Sequence, residues 1–81
     1  MQLVRLDIYV ASHCLAGQEA QRLAIEAARR FPDAEIRLIN LDETPPPEQI
    51  VAVPTYVLNG RIISLGNPEP EALFAQMAPL A

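Results

Sequence analysis

The stretch "TYVLNGRIISLG", residues 55–66, predicts a β-hairpin. Two apolar runs, Thr55–Leu58 and Arg61–Leu65, are separated only by Asn59 and Gly60. Both of these central residues tolerate positive φ, which makes the pair a strong signal for a two-residue hairpin turn. The two strands are therefore expected to pair antiparallel.

A short helix is expected to follow the hairpin. Asn67 can cap this helix, with Pro68 at its first position and the acidic Glu69 and Glu71 near its positively charged end. The helix is expected to run to about Ala78. Its inner face would carry Leu73, Phe74 and Met77.

The amino-terminal half predicts a strand, a helix and a second strand. Leu3–Val10 is a strongly apolar run, and the apolar positions of Ala16–Phe31 recur at spacings of three and four. Pro32 ends that helix, and the alternating segment Ala34–Asp42 is the second strand. A unit of this length implies a parallel pair of strands with a right-handed crossover.

The first strand has one apolar face and one mixed face. Val4, Leu6, Ile8 and Val10 alternate along the apolar face. Arg5, Asp7 and Tyr9 share the other face, so we expect the carboxylate of Asp7 to be solvated or paired.

A proline-rich connection, "ETPPPEQI", residues 43–50, joins the two halves. Its three consecutive prolines cannot all lie inside a regular helix, although Pro47 can begin a turn that covers Glu48–Ile50. The order of elements predicts an α/β fold in which helices pack on a mixed four-stranded sheet, and 81 residues provide room for a single domain, residues 1–81.

The composition of the chain argues against several classes of partner and site. With 51% hydrophobic and 20% charged residues the chain is expected to be globular, and a net charge of −4 argues against nucleic acid as a partner. The start reads as neither signal peptide nor membrane span, so we expect a cytoplasmic protein without a membrane partner. Cys14 is the sole cysteine, which excludes an intrachain disulfide, and together with the adjacent His13 it supplies too few ligands for a metal site.

Three motifs carry a resemblance to a known family. "IYVASHC", residues 8–14, places Tyr9 five residues before Cys14, and "AVPTYVLNG", residues 52–60, is followed by "GNPEPEAL", residues 66–73. In this order and spacing they resemble the thioredoxin-like superfamily, and most closely its small, glutaredoxin-sized thioredoxins, over nearly the whole chain. The resemblance implies a thioredoxin-like fold and places Cys14 at the position of the nucleophilic cysteine. This chain departs from the family in its second helix, which is shortened to "PPPEQI", residues 45–50.

One departure from the family bears on the mechanism. The family's Cys-x-x-Cys motif is "CLAG", residues 14–17, in this chain, so Gly17 stands where the resolving cysteine is expected. An intramolecular dithiol cycle is therefore excluded. The resemblance implies monothiol chemistry in its place.

Cys14 has two interpretations. A thiol in the first turn of a helix faces unpaired backbone N–H groups, which favour the thiolate and lower the pKa of the thiol by less than about 1.5 units from about 8.5. Alternatively, Cys14 fills a small apolar gap beside Leu15. His13 could lower the pKa further or carry a proton to a leaving thiolate, or it could be an exposed loop residue without a role.

The resemblance also implies a substrate-binding segment at Val53, Pro54 and Thr55. A cis bond between Val53 and Pro54 would let the backbone of Val53 pair with an extended substrate beside the thiol, whereas a trans proline would simply end a loop. Thr55 and Tyr56 also read as ordinary strand residues.

The leading hypothesis is a monothiol redox protein, a possible thiol–disulfide oxidoreductase. The Cys14 thiolate would attack a protein or low-molecular-weight disulfide, and an external thiol such as glutathione would resolve the product, without a bound cofactor and in a monomer or weak dimer. A second hypothesis is a non-catalytic interaction module like the thioredoxin-like KaiB family. A third is a dimer that shares a two-iron cluster, as in monothiol glutaredoxins, whose Gly-Phe-Ser continuation differs from Leu15-Ala16-Gly17.

Overall fold

A computed structural model describes residues 3–11, 16–43, 45, 47, 50 and 52–81. In chain order, its elements are β1 (Arg5–Val10), α1 (Ala16–Arg30), β2 (Glu35–Asn40), β3 (Thr55–Leu58), β4 (Arg61–Leu65) and α2 (Pro70–Met77), with a 3₁₀ turn over Ala78–Leu80. The strands form one sheet in the order β2-β1-β3-β4. The predicted mixed four-stranded sheet with helices is confirmed.

Strand pairing follows the sequence patterns. β1 and β2 are parallel, with Asp7 opposite Arg37, while β3 is antiparallel to both β1 and β4. In the hairpin turn φ is 50° at Asn59 and 85° at Gly60, as the asparagine–glycine signal predicts. The side-chain oxygen of Asn59 also accepts a hydrogen bond of 2.8 Å from the backbone N–H of Arg5, which ties the turn to β1.

The core lies between one face of the sheet and the two helices. Alternate residues of β1 and β3 meet the apolar faces of α1 and α2 there, because strand side chains alternate and helical ones recur every three or four positions. The buried cluster consists of Val4, Leu6, Ile8, Val10, Ala20, Leu23, Ala27, Tyr56, Leu58, Leu73, Phe74 and Met77. The predicted inner faces of both helices are therefore confirmed. Within the described part of the chain, no helix has the length and apolar character needed to cross a membrane.

The opposite face of the sheet carries a buried carboxylate. Asp7 is only 3% exposed, and its Oδ1 accepts a hydrogen bond of 2.7 Å from Nε of Arg37. Nε of Arg5 lies 3.4 Å from the other carboxylate oxygen. The expectation that Asp7 is paired is correct, and its carboxylate raises the pKa of Arg37 through the hydrogen bond and the charge.

The last helix begins later than the sequence predicts. Its N-cap is Glu69, whose carboxylate accepts a hydrogen bond of 2.9 Å from the backbone N–H of Ala72, and Pro70 occupies the first helical position. The prediction of an Asn67 cap followed by Pro68 is wrong. The amide of Asn67 is engaged elsewhere, with Tyr56, so the next side chain able to accept from the helix takes the cap.

The proline-rich connection carries neither helix nor strand at its described positions. The carbonyl of Pro47 accepts a hydrogen bond of 3.0 Å from the backbone N–H of Ile50, as expected for the turn predicted there. Ile50 is buried. Residues 44, 46, 48, 49 and 51 lie outside the described residues.

Candidate functional site

The residues expected to form the site lie in two segments. Cys14 and His13 belong to residues 12–15, which lie outside the described residues. In the chain, that loop joins Ala11, directly after β1, to Ala16, the first residue of α1. Next to these residues, the structure therefore describes the end of β1 with Ala11 and the start of α1 at Ala16.

The second segment, residues 52–55, enters β3. The peptide bond between Val53 and Pro54 is cis. Pro54 is buried, and its carbonyl accepts a hydrogen bond of 2.7 Å from the backbone N–H of Gly66. Among the described residues, no backbone hydrogen bond outside the helices and strands involves Val53, which is half-buried.

Thr55 supports this segment from inside the fold. Its side chain is fully buried, and its hydroxyl donates a hydrogen bond of 2.6 Å to the carbonyl of Ala52. A hydroxyl engaged in this way has no exposed surface to offer a substrate. Thr55 therefore holds the backbone turn over 52–55.

A third segment, residues 64–67, contacts both residues 52–55 and the start of α1. Gly66 has φ 91°, a conformation that favours glycine, and it lets the chain turn away from β4. Its carbonyl accepts a hydrogen bond of 2.8 Å from the hydroxyl of Ser64. The bond from Gly66 to Pro54 then fixes this turn against residues 52–55.

Tyr56 and Asn67 connect these segments to α1. The hydroxyl of the fully buried Tyr56 donates a hydrogen bond of 2.7 Å to Oδ1 of Asn67. Nδ2 of Asn67 donates one of 2.9 Å to the carbonyl of Ala16. Burial, followed by the charge of Glu19, raises the pKa of Tyr56, so its hydroxyl stays protonated at neutral pH.

Sequence reasoning missed this link, because it assigned Asn67 to a helix cap and Tyr56 to a strand without further role. A signal was present. A tyrosine on the buried face of a strand needs a hydrogen-bond partner for its hydroxyl. Asn67 is a polar residue directly after the turn at Gly66, and it is the partner that the structure supplies.

No protein-family profile matches the chain. The thioredoxin of Methanocaldococcus jannaschii is 36% identical over 77 residues, which cover 90% of this chain and 91% of that relative. The chain belongs to the thioredoxin family. It is a thioredoxin-like redox protein, and this match favours the redox hypothesis over the KaiB-like interaction module.

Solved structures agree with this assignment at the level of the fold. The germline-specific thioredoxin Deadhead of Drosophila melanogaster has a TM-score of 0.77 and 19% identity, over 98% of this chain and 82% of that chain. Mitochondrial thioredoxin 3 of Saccharomyces cerevisiae, in its oxidised form, has a TM-score of 0.75 and 23% identity, over 94% of this chain and 77% of that chain. At these identities the two likenesses establish the thioredoxin fold alone.

Gly17 is where this thioredoxin departs from the two-cysteine motif. A Cβ atom built on Gly17 would lie 3.7 Å from the carbonyl oxygen of Ala11, which is an ordinary van der Waals contact. Neither packing nor backbone conformation therefore demands glycine at this position. Among the described residues, a Cβ atom has room at this position.

Thioredoxin-fold proteins generally need no cofactor. In the described part of the chain, no group of three or more histidine, cysteine, aspartate or glutamate residues could hold a metal ion. A cavity of about 480 Å³ lies at the other end of the sheet, where β1 and β2 begin, and Leu3, Phe31 and Leu80 help to line it. The carboxyl end of β1, at Val10, lies at the opposite end of that strand from this cavity.

Proposed function

We propose that this thioredoxin-like protein performs thiol–disulfide exchange through Cys14 alone, and that an external thiol resolves the mixed disulfide. One observation carries the proposal. In the segment over 52–55, Val53 makes no backbone hydrogen bond to another described residue outside the helices and strands, and two hydrogen bonds fix the segment, from Thr55 to Ala52 and from Gly66 to Pro54. A substrate-binding backbone thus accompanies a single cysteine, with Gly17 at the position of its resolving partner.

In this proposal, the exchange takes place in two steps. The Cys14 thiolate attacks one sulfur of a substrate disulfide, so that a new sulfur–sulfur bond joins Cys14 to that sulfur while the old bond breaks and its other sulfur leaves as a thiolate. A low-molecular-weight thiolate, such as that of glutathione, then attacks the substrate sulfur of the mixed disulfide. Cys14 leaves as a thiolate, and the substrate departs as a disulfide with the small thiol.

The substrate would lie in extended conformation along Val53. Its backbone can pair with the N–H and C=O of Val53, as an added strand pairs with an open edge. His13, next to Cys14 in the chain, would supply a proton to the thiolate that leaves in the first step. Thr55 contributes by holding the turn, because its own side chain is buried.

The proposal also includes the oligomeric state, the cellular location and the partners of the protein. Residues 1–81 act as one thioredoxin-like domain, as a monomer or weak dimer, in a reducing, cytoplasmic environment. Its partners are protein or small-molecule thiols and disulfides. The net charge of −4 supports a role without nucleic acid.

The test measures the thiol directly. The rate of alkylation of Cys14 by iodoacetamide, followed from pH 5 to 10 by mass spectrometry, is expected to show a pKa below the ordinary value of about 8.5. Protein purified without reductant is expected to carry a disulfide adduct on Cys14. Cys14→Ser is the control and should show neither signal. A pKa near 8.5 together with no adduct would refute the proposal.

A further inference from the structure

The strand β2 lies at one edge of the sheet and, among the described residues, pairs only with β1. The N–H groups of Glu35 and Leu41, near its two ends, donate hydrogen bonds of 2.8 Å toward β1. Because successive residues of a strand point their backbone groups to opposite sides, the N–H and C=O groups of Ile36 and Leu38 point away from β1. An open edge of this kind is a template for pairing with another chain.

The two edges of the sheet differ in regularity. At the opposite edge, the ladder between β3 and β4 shifts register between Tyr56 and Val57, which leaves one extra residue, Ile63, on β4. Irregularities of that kind bend an edge strand and protect it from pairing. The ladder between β1 and β2 is continuous over all six residues of β2, none of which is proline. We therefore expect β2 to be the edge that accepts a further strand.

The charged side chains of β2 are complementary to those of a second copy of the same strand. Glu35 and Arg37 are exposed, and they share one face of the sheet because they lie opposite Arg5 and Asp7 of β1. When two copies of β2 run antiparallel about a two-fold axis at Ile36, Glu35 of each copy lies opposite Arg37 of the other. Two cross-strand pairs of opposite charge then form, and such pairs stabilise a sheet.

Neighbouring registers lack this complementarity. An axis at Arg37 places the guanidinium groups of the two copies directly opposite each other, and like charges in that arrangement are destabilising. An axis at Leu38 pairs Ile36 with Asn40, whose carbonyl already accepts a hydrogen bond of 3.1 Å from the N–H of Glu43. The charges and the backbone hydrogen bonds therefore both favour the axis at Ile36.

We propose that two copies of this chain associate by antiparallel pairing of their β2 edges about a two-fold axis at Ile36. The two four-stranded sheets then form one continuous sheet. The segment over 52–55 leads into β3, which β1 separates from β2, so the pairing does not involve that segment. A contact limited to a six-residue edge is small, and the association is expected to be weak and dependent on concentration. The inference does not depend on the reaction of Cys14.

Analytical ultracentrifugation from micromolar to millimolar concentration tests the association. All chains carry Cys14→Ser, so that no disulfide joins two copies, and the average mass is expected to rise from 8.9 kDa toward twice that value. Leu38→Lys places a charge on the β2 edge at a residue that is 39% exposed, and it is expected to abolish the rise. Ile62→Lys is the matched control, because Ile62 is 38% exposed on the other edge strand, and it should leave the rise unchanged.

Substitutions of Glu35 test the register. Glu35→Gln is expected to raise the dissociation constant of the dimer about two- to thirtyfold, because two cross-strand charge pairs are lost. Glu35→Lys should raise it further, since it places a positive charge opposite Arg37 of the other copy. Both changes bring the net charge of −4 closer to zero, so a general effect of charge would strengthen the association instead. The midpoint of thermal unfolding, measured for each variant at low concentration, reports whether the chain still folds.

Nuclear magnetic resonance on a mixture of isotope-labelled and unlabelled chains locates the contact. Intermolecular contacts between Glu35 and Arg37 are expected, and amide exchange at Ile36 and Leu38 should slow as the dimer forms. A chain that stays monomeric at millimolar concentration overturns the proposal, even if an extended peptide binds along β2. Association that survives both Leu38→Lys and Glu35→Lys also overturns it, as do intermolecular contacts between the two copies of Arg37. If Leu38→Lys does not fold, Glu35→Lys decides, because Glu35 is exposed.

Discussion

Under the proposed mechanism, Gly17→Cys is expected to let the protein resolve its own mixed disulfides. The structure leaves room for the change, since a Cβ atom at Gly17 would meet the carbonyl oxygen of Ala11 at 3.7 Å. The added thiol would stand three residues after Cys14 and could attack the mixed disulfide at the Cys14 sulfur. Attack from within the same chain needs no encounter with an external thiol.

Gly17→Ala is the matched control, because it adds the same Cβ atom without the thiol. Replacing a helical glycine where there is space for a side chain is expected to stabilise the protein by about 0.5 to 1 kcal/mol. For a chain of this size that raises the midpoint of thermal unfolding by roughly 2 to 8 °C. Calorimetry of reduced Gly17→Ala and Gly17→Cys should show this gain in both, which separates the effect of packing from that of redox chemistry.

The assay follows the mixed disulfide itself. Each protein is treated with glutathione disulfide, quenched with acid at intervals and examined by mass spectrometry. Wild type and Gly17→Ala are expected to accumulate a glutathione adduct, while Gly17→Cys should pass to an internal disulfide that is two mass units lighter than the reduced chain. Equal accumulation of the adduct in Gly17→Cys and Gly17→Ala would refute the claim that Gly17 prevents internal resolution.

Three further changes test the framework around the site. Gly66→Ala is expected to lower the free energy of unfolding by about 1 to 2 kcal/mol, because φ is 91° at this residue. Gly60→Ala, at φ 85° and with equally open surroundings, should lower it by the same amount. Only Gly66→Ala should slow alkylation of the Cys14 thiol, and equal alkylation rates in the two variants would contradict this. Arg37→Gln should lower the midpoint of thermal unfolding, because it leaves the carboxylate of Asp7 short of a hydrogen-bond donor. Adding Asp7→Val should restore most of the lost midpoint. No recovery in the double variant would count against the pairing of Asp7 with Arg37. Glu69→Ala should lower the free energy of unfolding, measured in urea, by about 0.5 to 1 kcal/mol, because the N-cap of α2 is lost. An unchanged urea midpoint would exclude a capping role for Glu69.

The sheet could be predicted because its determinants are local. Alternation in β1, the three-and-four spacing in α1 and the Asn59–Gly60 turn each specify one element from neighbouring residues. The short connections then leave little choice of topology. A strand, helix and strand of this length must form a right-handed parallel unit, and the hairpin must be antiparallel.

The start of α2 could not be predicted in the same way. Both Asn67 and Glu69 lie before a proline, and by local preference Asn67 is the better cap. What decides between them is the buried hydroxyl of Tyr56, which needs an acceptor and takes the amide of Asn67. Such a contact joins residues from separate elements, and only the folded structure brings them together.

Under the proposed monothiol mechanism, a different property of Cys14 governs release of the substrate. In a two-cysteine protein the internal thiol releases the substrate, whereas in the proposed mechanism Cys14 itself leaves as a thiolate when an external thiol attacks. A thiol of lower pKa leaves faster, so in this mechanism the pKa of Cys14 acts on release as well as on attack. Any substitution that raises this pKa should therefore slow release of the substrate less in a Gly17→Cys background, where the internal thiol performs the release, than in wild type.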